Sequence, residues 1–235
     1  MVNLSIVIPT FNEQKNQYFL NILNLLKKFN DVEIIVSDGG STDDTRKICE
    51  FNDVVFLETK TSSRAKRINV GISVAKSEYV LIHHPRSLLD ENGLSYLLEN
   101  CHKYFWGGFT HNFDEKHLLL VFTSWYSNNV RAKIKGILYL DHCIFMKKDF
   151  FEVIRDIPDV DIFEDTLISY KLLDKVGKPK ILPYKSTTSA IRFKTNGVFT
   201  QSLLNQILKL KFLLGFDHKK MNEKYEKNTS LNSKY

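Results

Sequence analysis

The sequence predicts an α/β fold: a mostly parallel central sheet flanked by helices, with an amphipathic helix near the C-terminus. Three observations predict it. Short β-branched runs alternate with segments of helical period four times between Leu4 and His83, the pattern of strand–helix–strand crossovers. Acids, glycines and histidines gather where those runs stop, at the carboxyl ends where open α/β sheets take their ligands. The 235 residues are 43% hydrophobic and 26% charged, enough to bury a sizeable core and to exclude wholesale disorder.

Leu4-Ser5-Ile6-Val7-Ile8 reads as a buried strand ended by Pro9. Residues 14–29 place Phe19, Ile22, Leu23 and Leu26 at helical spacing, with Glu13 opening that helix. Residues 32–36 form a second strand, broken by Asp38-Gly39-Gly40, and Ser41-Thr42-Asp43-Asp44-Thr45 offers capping oxygens and acids to the next helix. Residues 54–57 make a third strand, 63–75 a helix and 79–83 a fourth strand. Beyond it the pattern predicts helix over 90–103, extended chain over 105–113, helix over 117–133, a strand at 144–146 and a short helix over 148–155. A helix over 165–176 is capped by Gly177, and one or two strands occupy 180–193. Residues 198–216 read as an amphipathic helix, and the polar residues from Asp217 as a loose tail.

The formal charge is +6, and it is unevenly placed: residues 194–235 carry eight lysines against three acids. A nucleic-acid binder spreads basic residues over its folded body, so nucleic acid is not the expected partner. A basic end, with Lys209, Lys211, Lys219 and Lys220, suits an anionic surface such as a membrane, or is simply a solvated terminus. Cys49, Cys101 and Cys143 lie far apart and fit neither a disulfide framework nor a zinc site, as in a reducing, cytoplasmic compartment. No basic leader is visible at the start, and no run approaches the ~20 apolar residues of a membrane span.

Several segments carry chemistry. Asp38 follows its strand directly, so its carboxylate can accept from a base or a ribose hydroxyl, and Gly39 and Gly40 allow close backbone approach; a plain turn explains the same residues. No GxGxxG or GxxxxGK[ST] motif occurs, which counts against dinucleotide and P-loop readings. Ser5-Ile6-Val7-Ile8-Pro9-Thr10-Phe11-Asn12-Glu13 and Glu33-Ile34-Ile35-Val36-Ser37-Asp38-Gly39-Gly40-Ser41-Thr42-Asp43-Asp44-Thr45 closely resemble the opening of family 2 glycosyltransferases of the GT-A (Rossmann-like) fold. Arg64-Ala65-Lys66-Arg67-Ile68-Asn69-Val70-Gly71 resembles the family's R-A-x-x-x-N-x-G segment, Ile162-Phe163-Glu164-Asp165 its x-E-D motif, and Arg192-Phe193 its later R-W-type pair. The closing amphipathic helix is similar to that of a small, single-domain bacterial subgroup.

The resemblance implies an inverting transfer of a sugar from a nucleotide diphosphate, of UDP type, to an acceptor hydroxyl. The acceptor would be a saccharide or a lipid-linked saccharide in envelope polysaccharide or glycolipid synthesis, at the cytoplasmic face of the membrane. One domain would span residues 1–216, its nucleotide-binding half running to about residue 90 and its acceptor half over 91–216, followed by a polar basic tail over 217–235. By carry-over, Pro9, Thr10, Glu13, Asp38, Gly39 and Arg64 would bind the nucleotide, Asp165 would be the base with Glu164 beside it, Asp141 would face the acceptor, and Arg192 would reach the diphosphate.

One departure stands out. The family ends its fourth strand with an acidic motif that holds Mg2+ or Mn2+ on the donor; here the chain runs Leu81-Ile82-His83-His84-Pro85-Arg86-Ser87, with Pro85 in the place of the acid. Three readings follow: Arg86 supplies the positive charge without a metal, His83 or His84 holds a softer metal with Asp90, or catalysis is lost and the chain only binds sugar nucleotide or a partner enzyme. A nucleotidyltransferase would want a glycine- and lysine-rich loop after the first strand, and Pro9-Thr10-Phe11-Asn12-Glu13 is not one.

Overall fold

A computed structural model describes residues 3–226 except 53, 62, 154–156 and 161. In chain order the strands are β1 (Leu4–Thr10), β2 (Val32–Asp38), β3 (Val55–Glu58), β4 (Tyr79–Ile82), β5 (Ser87–Leu89), β6 (Trp106–Phe113), β7 (Ile144–Lys147) and β8 (Lys180–Thr188). The α-helices are α1 (Gln17–Leu26), α2 (Thr45–Phe51), α3 (Arg64–Val74), α4 (Glu91–Asn100), α5 (Leu118–Tyr126), α6 (Lys148–Val153), α7 (Glu164–Lys175), α8 (Ile191–Asn196), α9 (Val198–Leu213) and α10 (His218–Glu226).

The strands form one sheet in the order β3-β2-β1-β4-β7-β6-β8-β5. The first four are parallel, as their helical crossovers require. β7 runs antiparallel to both β4 and β6, β8 is parallel to β6, and β5 is antiparallel to β8, so the second half is mixed. The strand period of two sorts β1 between the faces. Leu4, Ile6 and Ile8 pack on one side with Phe19, Ile22 and Leu23 of α1 and Leu94 and Leu97 of α4. Val7 packs on the other with Ala65, Ile68 and Ile72 of α3. Each such aliphatic side chain, fully buried, stabilises the fold by about 1.5–3 kcal/mol. Gly71 lets α3 sit this close: a Cβ there would come within 2.3 Å of Val7 Cγ1.

Several expectations are corrected. α1 starts at Gln17 with Asn16 as its cap, so Glu13 precedes the helix rather than opening it. The helix expected over 117–133 changes hand-hold halfway, from α5 to a π-helical stretch, Ser127–Ile134. β8 ends at Thr188, and Arg192 lies on α8 rather than on a strand. β5 was not legible because three residues carry no period. The chain from Asp217 is not loose: α10 follows, and its Met221 is buried against Ile162 and Leu208. Residues 227–235 and the end of the helix expected over 148–155 lie outside the described residues.

Candidate active site

The parallel half ends on two hydrogen-bonded hubs. In the first, Asp38 is 1% exposed and accepts four bonds: from Gly40 N (2.9 Å) and Ser41 N (2.7 Å) on Oδ1, and from Thr10 Oγ1 (2.9 Å) and Ser41 Oγ (2.6 Å) on Oδ2. Four donors fill the lone pairs of a carboxylate. Asp38 and Thr10 therefore brace the β1 and β2 loops against each other, and neither lines the cavity described next. Gly40 supplies the left-handed turn (φ +93°) that brings its N–H back to Asp38.

In the second hub, Glu13 is 3% exposed. Its Oε2 accepts from Arg86 Nη2 (3.0 Å) and Asn16 Nδ2 (2.8 Å), and Asn16 also donates to the Pro85 carbonyl (2.8 Å). Burial raises the Glu13 carboxyl above its usual range, and Arg86 opposes that shift. Glu13 thus holds Arg86 at the end of β4.

A cavity of about 230 Å3 opens beside these loops. Pro9, Glu13, Arg64, His84, Arg86, Asp141, Asp165 and Arg192 of the predicted residues line it; Thr10, Asp38, Gly39, His83 and Glu164 stand behind its wall. Its far side comes from α5, the π-helical stretch, α8, α9 and α10. The Arg192 guanidinium lies 4.3 Å from the Tyr225 ring centroid, so α10 closes one wall.

Asp165 sits in the first turn of α7. Phe163 before it takes a left-handed backbone (φ +66°), rare for an aromatic residue, and its ring packs 4.7 Å from that of Phe212 on α9. That turn sends the two acids opposite ways. Glu164 is 1% exposed, pairs through Oε1 with Arg64 Nε, and leaves Oε2 without a partner among the described residues. Asp165 faces the cavity, accepting from Leu140 N (3.1 Å) and Thr166 N (2.6 Å). Confinement in this low-dielectric site, with Glu164 adjoining, pushes its carboxyl up to about 7, against the pull of Arg64. A carboxylate poised there can take a proton near neutrality.

The fit to a divalent ion is poor. His84 Nδ1 and Asp141 Oδ1 stand 3.8 Å apart at the cavity wall. Burial, with Arg64 and Arg86 nearby, holds His84 neutral, down to about 3. Asp90 is spent as the cap of α4, accepting from Asn92 N and Gly93 N. His83 is fully buried behind the cavity. One imidazole and one carboxylate do not make the oxygen-rich shell that Mg2+ or Mn2+ wants. Among the described residues no cluster of three or more His, Cys, Asp or Glu is arranged around an ion.

Sequence reasoning passed over His111, Ser127, Arg131 and Tyr139 and set Lys209 on a membrane-facing surface; all five line the cavity. Asn128 locks the π-helical stretch to β6 by bonding both the N–H and the C=O of His111 (2.8 Å each). His142 is structural, its ring nitrogens bonded to the Phe109 carbonyl (2.8 Å) and Ser127 Oγ (3.0 Å). Leu120, Ser124, Ser127, Asn128 and Arg131 keep one buried face across the junction of α5 and the π-helical stretch, and π-bulges recur at functional sites.

This architecture has known counterparts. The description "glycosyl transferase family 2" matches residues 5–154. The chain belongs to glycosyl transferase family 2. Over 104 residues it is 34% identical to glycosyltransferase GlyG of Streptococcus pneumoniae, covering 41% of this chain and 34% of that protein, so it spans about a third of that relative's length. The fold is shared with Staphylococcus aureus TarS 1–349, solved in complex with UDP-GlcNAc (TM-score 0.66, 18% identity, 80% of this chain and 58% of that one). It is shared too with the mannosyltransferase PcManGT of Pyrobaculum calidifontis, in complex with GDP-Man and Mn2+ (TM-score 0.63, 16% identity, 88% and 61%). Asn69 of the R-A-x-x-x-N-x-G segment clamps both backbone groups of Ile157 (3.0 Å each), and Arg67 donates to the Thr10 carbonyl (2.6 Å).

Proposed function

We propose that this family 2 member is an inverting glycosyltransferase that moves a sugar from a nucleotide diphosphate donor, of UDP type, to a hydroxyl of a saccharide or lipid-linked acceptor in envelope polysaccharide or glycolipid synthesis. The observation that carries the reading is Asp165. Its carboxylate faces the cavity that Glu13, Arg64 and Arg86 also line, and it titrates near neutrality. In the step, Asp165 accepts the acceptor's O–H proton as that oxygen bonds to the anomeric carbon. The bond from that carbon to the diphosphate breaks on the opposite face, and its electron pair leaves with the nucleoside diphosphate. Arg86, Arg64 and Arg192 are the candidates to meet that charge, and an arginine fork suits phosphate oxygens. Glu13 and Pro9 would contact the nucleoside, with Thr10, Asp38 and Gly39 shaping the loops from behind. Asp141 would face the acceptor.

A thermal-shift panel of nucleotide diphosphates, with and without EDTA, tests the donor assignment. UDP at about 100 times its Kd should add about 2.7 kcal/mol to apparent stability. No shift with any nucleotide would overturn the donor reading. A shift without release of nucleoside diphosphate from any sugar donor would leave a binding-only family member, the reading that Pro85 supports.

The outer faces of α5 and α9 carry the lipid part of the proposal. Leu118, Phe122 and Trp125 of α5 and Phe199, Leu203 and Leu213 of α9 are all more than half exposed. The two helices meet where the His117 and Phe199 rings lie 5.9 Å apart, and their inner faces wall the cavity through Thr123, Asn205 and Leu208. No described helix is long and apolar enough to cross a membrane. An in-plane amphipathic contact, aided by lysines worth about 1 kcal/mol each near anionic lipid, is what this surface suits. The chain is expected to co-sediment with phosphatidylglycerol vesicles, and Phe122→Ser with Trp125→Ser to weaken binding about tenfold or more. Equal binding by parent and variant would refute the assigned face.

A further inference from the structure

Among the arginines and lysines that line the cavity, two groups differ in their partners. The first, Arg64 and Arg86, flanks His84 at the end of β4, and each arginine has a carboxylate of its own, Glu164 and Glu13. The second gathers on Tyr139. Arg131 is 7% exposed, with its guanidinium carbon 3.7 Å from the Tyr139 ring centroid, and Lys209 Nζ lies 5.9 Å from the same centroid. Both side chains line the cavity. Neither has a carboxylate partner among the described residues. Arg131 reaches only Ser127 Oγ, at 3.5 Å, besides the faces of Tyr126 and Tyr139. Burial and the charge of Arg131 push the Lys209 amine down to about 8, with no acid opposing them.

Two like charges held in a confined site are costly unless an anion joins them. The ring of His111, 4% exposed, also lines this end of the cavity, and both its nitrogens lack partners. Burial, with Arg131 adding to it, keeps it neutral, down to about 3, so it can both donate and accept at neutral pH. Arg64 and Arg86 stand where the donor diphosphate would lie in the reading above, whereas Arg131 and Lys209 gather on Tyr139.

We propose that Arg131 and Lys209 form a second oxyanion site, which seats a phosphate ester of the acceptor while His111 orders its hydroxyls. This rests on the transferase reading and adds to it the chemical class of acceptor: a phosphorylated saccharide or polyol, soluble or lipid-carried. Two positive charges match a phosphate better than one carboxylate.

The test is binding to protein already saturated with UDP, so that the first group of cations is filled. Glucose 6-phosphate and glycerol 3-phosphate are titrated in parallel with glucose and glycerol. Phosphatidylglycerol vesicles form a third arm, read in the Phe122→Ser, Trp125→Ser variant so that the apolar face of α5 does not contribute; vesicle binding lost on adding Lys209→Gln marks a lipid source, and binding of the soluble esters alone marks a soluble one. The phosphate esters should bind and raise the melting temperature further, with the neutral compounds inert. Lys209→Gln should weaken phosphate binding about tenfold or more while UDP binding stays as in the parent. Arg131→Gln should do the same, and Lys209→Gln, at a less buried position, covers the case in which Arg131→Gln fails to fold. Competition between phosphate esters and UDP for one site, or full phosphate affinity in Lys209→Gln, would overturn the proposal while leaving the transferase reading intact. Absence of the UDP shift would instead remove the reading on which the proposal rests, and the proposal with it.

Discussion

Asp165→Asn is expected to lower sugar transfer about 10²–10⁴-fold, the usual worth of a positioned general base, with the UDP-induced thermal shift unchanged. Asparagine keeps the shape but has one oxygen, so it keeps one of the two bonds that Leu140 N and Thr166 N make to separate oxygens of Asp165; the unchanged UDP shift is what separates lost proton transfer from lost packing. The pH dependence has a definite sign. The carboxyl keeps its proton in the folded chain up to about 7, and the base acts only when ionised, so the rate should climb with pH and level off above that value. Stability should move the other way. An unfolded chain releases this proton near pH 4, so between about 4 and about 7 the folded state binds more protons, and stability falls as pH rises through that window. Asp165→Asn cannot ionise there, so its melting temperature should stay level across the window in which the parent's falls. Parent-like turnover by Asp165→Asn, or a flat rate profile from pH 5 to 8, would remove Asp165 from the mechanism.

Arg64→Met should cost about 3 kcal/mol of unfolding free energy, at the low end for a broken buried pair because the Arg64 side chain is 35% exposed. The cost arises in Glu164, not in the arginine. Glu164 is 1% exposed, one of its oxygens has no partner already, and the variant would strand the other. Glu164→Gln placed in the same chain should therefore recover a large part of the loss, although each change alone destabilises. Urea unfolding at constant m-value is the measurement. Additive losses in the double variant would show that the pair is not coupled. Because Glu164 adjoins Asp165, Glu164→Gln should also lower the pH at which the rate levels off, since a neighbouring negative charge is removed.

Much of this architecture was written locally. The β-branched runs of β1, β2 and β4, the helical spacing of Phe19, Ile22, Leu23 and Leu26, and the order of the family motifs depend on residues close in the chain. Asp165, next to Glu164 at the head of a helix, was legible for the same reason. What local pattern does not encode is where a polar side chain finds its partner. Asp38 ends its strand as expected, but its carboxylate is consumed by Thr10, 28 residues away, and by its own loop. The Arg64–Glu164 pair joins positions 100 residues apart. Arg131 lay in a segment read only for its apolar period, so its place on the buried face of the π-helical stretch went unread. The apolar residues of α9 announced an amphipathic helix, yet only packing decided that most of them stay exposed while Leu208 and Lys209 meet the cavity. α10 had no apolar stripe to announce it; Met221 and Tyr225 pack against Ile162 and Leu208, and the His218 ring bonds the Ile162 carbonyl. Periodicity reports which face of an element avoids water; which charges meet across the finished surfaces is settled by packing between distant segments, because desolvated charges are stable only beside partners that the fold brings to them.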